Sequence, residues 1–248
     1  MSNPIHQFAI ETKIPFAVGN IDLSFTNSAL WMAIGVILSV TFLSAATKEK
    51  SRVPSRLQMG AEILYEGIAG MVRDNIGLKG RQYFPFIFTL FVFILMGNIM
   101  GLLPWSFTYT SHLAVTGALA LTIFVMVFSF GFFYHGLKFL SLFIPSGAPL
   151  WLMPFIVPLE LISFFVRPLT LSIRLFANMM AGHIMLKVVA GFAVAAASLG
   201  AGGIMLGVFP VAINIMLLAF ECLVAVIQAY VFAILSCVYL KDTVDLHH

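Results

Sequence analysis

The stretch PLELISFFVRPLTLSIRLFANMMAGH, residues 158–183, decides the fold because it sets ionisable groups into a sequence otherwise suited to lipid. It lies within an apolar run, 149–199, that contains no convincing polar loop. An ionised side chain in hydrocarbon costs at least about 2.5–3.5 kcal/mol on insertion scales, so each such residue needs a functional or structural reason. Between residues 84 and 240 the charged residues are Lys138, Glu160, Arg167, Arg174, Lys187 and Glu221.

The composition predicts an all-α integral membrane protein. The 248 residues are 61% hydrophobic and 9% charged, whereas a soluble domain has roughly 25% charged residues. Several apolar runs reach the about 20 residues that a transmembrane helix needs, and they lack the alternation of a β-barrel strand. The net charge of +3 reflects a few basic loops and predicts no nucleic-acid partner. Cys222 and Cys237 lack metal-ligand spacing, and we predict no metal site and no cofactor.

The N-terminal part of the chain predicts one span and one surface helix within a single membrane domain, 1–248. Residues 1–27 form an outer tail, and a transmembrane helix follows over 28–46. The positive-inside rule places the next loop in the cytoplasm, so that the N-terminus is outside. Residues 57–78 have a polar and an apolar helical face and are predicted to lie on the inner membrane surface. The basic residues of the loop are Lys48, Lys50, Arg52 and Arg56.

A transmembrane hairpin is predicted next, with spans over 84–103 and 113–133. Lys79 and Arg81 anchor its inner end, and Pro104 with Trp105 ends the first span at the outer interface. The residues FTYTSH, 107–112, form the outer loop between the two spans.

The last two apolar stretches, 149–199 and 204–240, are too long for vertical spans. A wholly helical stretch would reach about 55–75 Å, while the hydrocarbon core is roughly 30 Å thick. Each stretch therefore contains either two short spans or one long, strongly tilted helix. The residues GAGG, 200–203, predict a turn between them.

Polar residues recur on the first long stretch at helical spacing. Glu160, Arg167 and Arg174 are seven residues apart, which is nearly two helical turns. They share one face if the helix continues through Pro168, where a kink is the alternative. Asn178, one turn beyond Arg174, extends this stripe. Arg167 is expected to anchor the helix, and Arg174 is expected to be the functional arginine.

A second polar patch is predicted on the outer side of Arg174. His183 lies nine residues beyond the arginine, about half a turn away around the helix. On the last stretch Glu221 and Gln228 share a face, and Tyr230 adds a further polar group. Antiparallel packing would make His183 and Glu221 neighbours, a titratable pair suited to passing protons.

These motifs resemble subunit a of F-type ATP synthase. The segment LSIRLFANMMAGH, 171–183, follows PLELISFFVRPLTL and precedes FECLVAVIQAYVFAILSCVYL, 220–240, an order similar to that of the family. The outer loop GNIMGLLPWSFTYTSH, 97–112, resembles the family as well, so that the resemblance covers nearly the whole chain. The combination of His183 with Glu221 is similar to the alphaproteobacterial and mitochondrial branch.

The resemblance implies a proton-translocating stator of a rotary motor, in which the two long stretches form a strongly tilted helix hairpin packed against a ring of c subunits. Arg174 would face the ring carboxylate and separate two offset half-channels. His183 and Glu221 would belong to the outer half-channel and Glu160 to the inner one. The polar lining of the hairpin would comprise Asn178, Gln228 and Tyr230.

The resemblance also implies the surroundings of the chain. It would have no catalytic site of its own, because ATP chemistry would reside in partner subunits. The implied partners are the c ring, the b and b′ peripheral-stalk subunits, the other ATP synthase subunits and membrane lipids. The expected location is the bacterial inner membrane, with several spans, the N-terminus outside and the C-terminus in the cytoplasm; the mitochondrial inner membrane is the alternative.

Two other classes of protein could carry charged residues or histidines in the membrane. A proton-coupled secondary transporter, the alternative function, is expected to show internal repeats and broken helices in both halves, and the sequence shows no such repeat. A haem-carrying subunit would need paired histidines at matching depth, and only His183 lies well inside a predicted span.

Overall fold

The computed structural model describes residues 8–15, 17–18, 21–22, 24–48, 54–103, 106–144, 150–198 and 201–244. Its helices are α1 (Asn27–Lys48), α2 (Arg56–Ile76), α3 (Phe84–Gly101), α4 (Leu113–His135), α5 (Met153–Ala197) and α6 (Ala201–Val244). Within this part of the chain, five helices are long and apolar enough to cross a membrane, and α2 is not among them. The predicted all-α membrane fold is confirmed.

Each of the two long apolar stretches forms one continuous helix. α5 has 45 residues and α6 has 44, which corresponds to about 65 Å of helix each. α5 continues through Pro158 and Pro168, and α6 continues through Pro210. The alternative of two short spans per stretch is therefore excluded.

Some predicted boundaries differ from the structure or fall outside it. Residues 201–203, predicted as part of a turn, belong to the first turn of α6, while residue 200 lies outside the described residues. Lys50, Arg52, Pro104 and Trp105, used to orient the first two spans, also lie outside the described residues.

The N-terminal segment contains short strands that the sequence analysis did not predict. β1 (Thr12–Ile14) pairs antiparallel with β4 (Phe25–Thr26), and β2 (Ala17–Val18) pairs with β3 (Ile21–Asp22). Asn27 joins this segment to α1, because its side-chain amide donates to the carbonyl of Ala9 at 3.0 Å and accepts from the amide of Glu11 at 3.2 Å.

α2 is the predicted amphipathic helix. The Ser55 hydroxyl caps its first turn by accepting a hydrogen bond from the amide of Gln58 at 3.3 Å. Gly77 ends it with a φ of +80°, a conformation that favours glycine. The Gln58 side chain donates to Glu62 at 2.7 Å on the exposed face. The buried face consists of Ile68, Met71, Val72 and Ile76.

The chain divides into two compact units. Unit 1 comprises residues 1–42, 92–112 and 175–229, and unit 2 comprises 43–91, 113–174 and 230–248.

In unit 1, buried polar side chains form hydrogen bonds with one another and with backbone carbonyls. Asn98 is fully buried; its amide nitrogen donates to the carbonyl of Ala225 at 3.0 Å, and its oxygen accepts from the Thr110 hydroxyl at 2.8 Å. Tyr109 is also buried and donates to the carbonyl of Phe93 at 2.7 Å. Because unpaired polar groups are costly in an apolar interior, these bonds define the packing of α3 against α6 and the loop 106–112.

Unit 2 is organised around aromatic side chains. Ring centroids are 5.3 Å apart for Phe124 and Phe164, and 5.4 Å apart for Phe143 and Phe164, separations at which aromatic pairs attract. A buried contact of 3.1 Å joins the hydroxyls of Thr116 and Ser172, which links α4 to α5.

We predict that Gly97→Ala destabilises the protein. An alanine Cβ at this position would clash with Cζ of Tyr109, a buried ring held by its hydrogen bond to Phe93. Overpacking of this kind costs about 1–3 kcal/mol. Thermal unfolding of the purified variant in detergent should show a lower midpoint. Gly67→Ala is the matched control, because nothing lies within 4 Å of its Cβ; equal midpoints for the two variants would contradict the tight packing of Tyr109.

Candidate functional site

The surfaces of α5 and α6 are largely uncovered. In the 18-residue apolar window of α3, 50% is buried within the chain, whereas the corresponding shares are 6% in α5 and 11% in α6. Large apolar side chains such as Phe155, Phe192 and Phe220 are exposed on these two helices. Such surfaces need lipid or another protein chain to cover them.

Arg167 has partners within unit 2. Its Nη2 lies 3.7 Å from Oε1 of Glu160, one stripe position earlier on α5. Its guanidinium carbon lies 5.7 Å from the centroid of the Tyr239 ring on α6, within cation–π range. Both charged side chains are partly exposed. The role of Arg167 as an anchor stays a prediction, and its pairing with Glu160 was not predicted.

Arg174 has a different environment. Arg174 is exposed on α5. With the residues that the structure describes, its side chain makes neither a hydrogen bond nor an ion pair. Of these two arginines, which lie seven residues apart on one helix, only Arg167 has a counter-charge among the described residues.

His183 and Glu221 are brought together in unit 1. Nδ1 of His183 lies 3.7 Å from Oε1 of Glu221, and the side chains are only 12% and 4% exposed. In this unit α5 and α6 run antiparallel, as the predicted contact requires, because Ala193 of α5 lies against Gly207 of α6. Neither carboxylate oxygen of Glu221 has a hydrogen-bond partner among the described residues.

A glycine makes the approach of Glu221 possible. A Cβ added to Gly182 would lie 2.6 Å from Oε1 of Glu221, closer than real Cβ contacts allow. Residue 182 is therefore restricted to glycine as long as the Glu221 carboxylate keeps its position beside His183. The role of Gly182 was not predicted from the sequence, although its position directly before His183 could have pointed to it.

Thr108 holds the other side of the His183 ring. Its Oγ1 lies 3.0 Å from Nε2 of His183, and Thr108 is itself buried. The two ring nitrogens therefore face different partners, the threonine hydroxyl and the glutamate. The sequence analysis missed Thr108, which lies 75 residues before His183 in the outer loop.

Two cavities flank the pair. The first, about 600 Å³, is lined by His183, Thr108, Lys187 and Asn214 among others. The second, about 340 Å³, is lined by Glu221, Asn178 and Gln228 among others. Both exceed the roughly 30 Å³ that one water occupies. The histidine faces one cavity and the glutamate the other, so the pair connects two volumes large enough for water.

The structure therefore brings only some of the predicted site residues together. Glu221, Asn178 and Gln228 line one cavity, and His183 contacts Glu221 from the other. Tyr230 lines neither cavity and is exposed on α6. Asn214, a half-buried polar residue not selected from the sequence, also lines the first cavity, and its buried side-chain oxygen has no hydrogen-bond partner among the described residues.

Comparison with known proteins shows similarity over the whole chain. The family model described as ATP synthase A chain matches residues 29–241. The chain is 49% identical to ATP synthase subunit a of Rhodospirillum rubrum over 247 residues, which covers 100% of both proteins. It is 50% identical to ATP synthase subunit a of Mesorhizobium japonicum over 246 residues, covering 99% of this chain and 98% of the relative.

A third relative, ATP synthase subunit a of Hyphomonas neptunium, is 52% identical over 240 residues, covering 97% of this chain and 95% of the relative. All three relatives are alphaproteobacterial, which confirms the predicted resemblance and its branch. The family match and the identities together show that the chain belongs to the ATP synthase A chain family.

Proposed function

We propose that this chain is the proton-translocating stator subunit of an F-type ATP synthase and provides two offset half-channels to a rotating c ring, with no active site of its own. The observation that carries the proposal is Arg174, an exposed guanidinium on an apolar helix without a counter-charge among the described residues. A charge in that environment requires a partner, and the uncovered faces of α5 and α6 offer room for one from another chain.

Arg174 acts as a barrier because of the chemistry of the guanidinium group. An arginine does not release its proton at accessible pH, so it cannot relay one. It attracts a deprotonated carboxylate and lowers the pKa of that carboxylate, which favours the charged form. A ring carboxylate passes Arg174 only as an anion, and protons cannot pass without the ring.

The outer half-channel runs through His183 and Glu221. The first cavity brings water to the histidine, whose Nδ1 faces Glu221 at 3.7 Å. Glu221 faces the second cavity, where Asn178 and Gln228 supply polar groups toward the uncovered surface of the helices. A proton from outside moves from histidine to glutamate and then to a ring carboxylate.

The inner half-channel begins at Glu160. Its side chain is 41% exposed, so that it can exchange protons with water while Arg167 holds it at 3.7 Å. A ring carboxylate that arrives from its passage through the lipid releases its proton toward Glu160, passes Arg174 as an anion and is reprotonated from the outer side. Net proton flow then requires rotation.

The proposal includes the assembly and its location. The partners are the c ring, the b and b′ peripheral-stalk subunits, the other ATP synthase subunits and membrane lipids. Five spans would put the two ends of the chain on opposite sides of the membrane, and the basic residues after the first span favour an N-terminus outside and a C-terminus in the cytoplasm of a bacterial inner membrane. The full-length similarity to ATP synthase subunits does not favour the alternative, a proton-coupled secondary transporter.

Arg174→Ala should abolish proton-driven ATP synthesis and open a passive proton leak. An opposite charge within about 4–6 Å shifts the pKa of a carboxylate by about 1–3, so loss of the arginine changes the ratio of anionic to protonated carboxylate about 10- to 1,000-fold. ATP synthesis is measured in energised inverted vesicles, and the leak is measured after the catalytic sector is removed.

Arg167→Ala is the matched control, because Arg167 shares the helix and the stripe but has its own partners, Glu160 and Tyr239. It should open no leak. Full ATP synthesis in Arg174→Ala without a leak would refute the proposed barrier.

Thr108→Val should lower proton-driven ATP synthesis, because it removes the hydroxyl beside Nε2 of His183 while keeping the shape of the side chain. A hydrogen bond of this kind contributes about 0.5–1.5 kcal/mol, so the correctly oriented ring should become about 2- to 10-fold less populated. Synthesis is measured across a range of outer pH, with Thr108→Ser as the variant that keeps the hydroxyl. If the valine variant retains the wild-type pH profile, Thr108 does not position His183.

A further inference from the structure

A third cavity lies in unit 2, and none of the polar residues of the proposed half-channels lines it. It has a volume of about 400 Å³ and is lined by Lys79, Gln82, Tyr83, Tyr134 and His135. These residues come from the segment that precedes α3 and from the last turn of α4. All of them can donate hydrogen bonds, and none is a carboxylate.

Tyr83 is the most informative of these residues. It is 2% exposed, and its ring packs edge-on against Phe130 at 5.4 Å. Its hydroxyl lies near the side chains of Tyr134 and Gln82 but forms no hydrogen bond of normal geometry with the described residues. Burial, assisted by the neighbouring Tyr134, raises the pKa of Tyr83 to about 12, so the hydroxyl keeps its proton at physiological pH. A buried donor without a well-formed hydrogen bond costs up to about 1–3 kcal/mol, and an acceptor in the cavity would reduce this cost.

The other lining groups indicate the charge of that acceptor. Gln82 donates to the Tyr134 hydroxyl at 3.4 Å, so that the O–H of Tyr134 can be directed to a further acceptor. Nε2 of His135 donates to the carbonyl of Thr243 at 2.9 Å, which fixes the ring at the rim. Lys79 brings a positive charge. Several donors beside a cation, with no carboxylate among the lining residues, favour an anion with more than one oxygen.

The location indicates the source of the anion. Lys79 and Arg81 mark the inner end of the predicted span, and tyrosines are typical of the membrane interface. At the cytoplasmic surface of a bilayer, anionic phospholipid headgroups are concentrated, and basic pockets between transmembrane helices bind them.

We propose that this cavity binds the phosphate of an anionic phospholipid headgroup, with Tyr83 and Tyr134 donating to phosphate oxygens and Lys79 supplying the charge. The site requires only that this end of the helices faces the inner leaflet, and it is independent of the route that protons take.

The test measures lipid binding to the full-length chain in detergent. Delipidated protein is titrated with phosphatidylglycerol, phosphatidylcholine or inorganic phosphate, and bound lipid is counted by native mass spectrometry alongside the thermal midpoint. We expect phosphatidylglycerol to be retained in preference to phosphatidylcholine, and inorganic phosphate to have little effect. If inorganic phosphate raises the midpoint as much as phosphatidylglycerol does, the site takes free phosphate and the lipid assignment is wrong.

Three variants test whether phosphatidylglycerol binds in this cavity. Lys79→Gln should weaken phosphatidylglycerol binding about 5-fold, as expected for one lysine near an anionic surface. Tyr83→Phe removes only the hydroxyl, keeps the buried ring and should weaken binding about 10-fold; it carries the test if Lys79→Gln does not fold. Arg81→Gln is the matched control, because Arg81 is exposed and does not line the cavity. Wild-type binding in Tyr83→Phe, or an equal loss in Arg81→Gln, would overturn the proposal.

Discussion

The cost of placing a charge in an apolar environment is the constraint on which the rest of this structure depends. The chain meets it for Arg167 with internal partners, because Glu160 supplies a counter-charge and Tyr239 an aromatic face. It does not meet it for Arg174, whose guanidinium is exposed and without a partner among the described residues. Under the proposed function, a carboxylate of another chain compensates Arg174, and the uncovered faces of α5 and α6 are the surface on which it would lie.

For His183 and Glu221 the fold reduces the same cost differently, because it buries the two titratable side chains against each other. Both side chains are removed from bulk contact and face each other, and the fold makes room for them at Gly182 and orients the histidine through Thr108. A buried titratable pair between two cavities can change its protonation without a large movement of the backbone. The proposed function would need this property, because the site of a stationary subunit has to stay in place while a ring turns past it.

The sequence predicted where the helices lie, but it did not predict whether each long apolar stretch forms one helix or two. Prolines at 158, 168 and 210 left open whether each long stretch was one helix or two, since the effect of a proline depends on neighbours that periodicity does not reveal. The turn at 200–203 was predicted from glycine content, yet residues 201–203 continue as helix.

Within the site, contacts that follow from helical spacing or from the packing of neighbouring helices could be predicted from the sequence, whereas a contact with a distant loop could not. Helical spacing placed Glu160, Arg167 and Arg174 on one stripe, and antiparallel packing suggested that His183 meets Glu221. Thr108 could not be found in this way, because its contact with His183 depends on how the buried loop 106–112 packs. The role of Tyr230 stays a prediction, since its side chain is exposed on α6 and lines neither cavity of the site.

A structure of the assembled membrane sector at side-chain resolution would show which group faces Arg174. The distance from the Arg174 guanidinium to the nearest carboxylate decides it. We predict that this carboxylate belongs to a ring subunit and lies within about 4–6 Å, the range in which an opposite charge governs ionisation. An Arg174 that pairs with a carboxylate or carbonyl of its own chain, or that faces lipid with no ring carboxylate in reach at any rotational position, would contradict it.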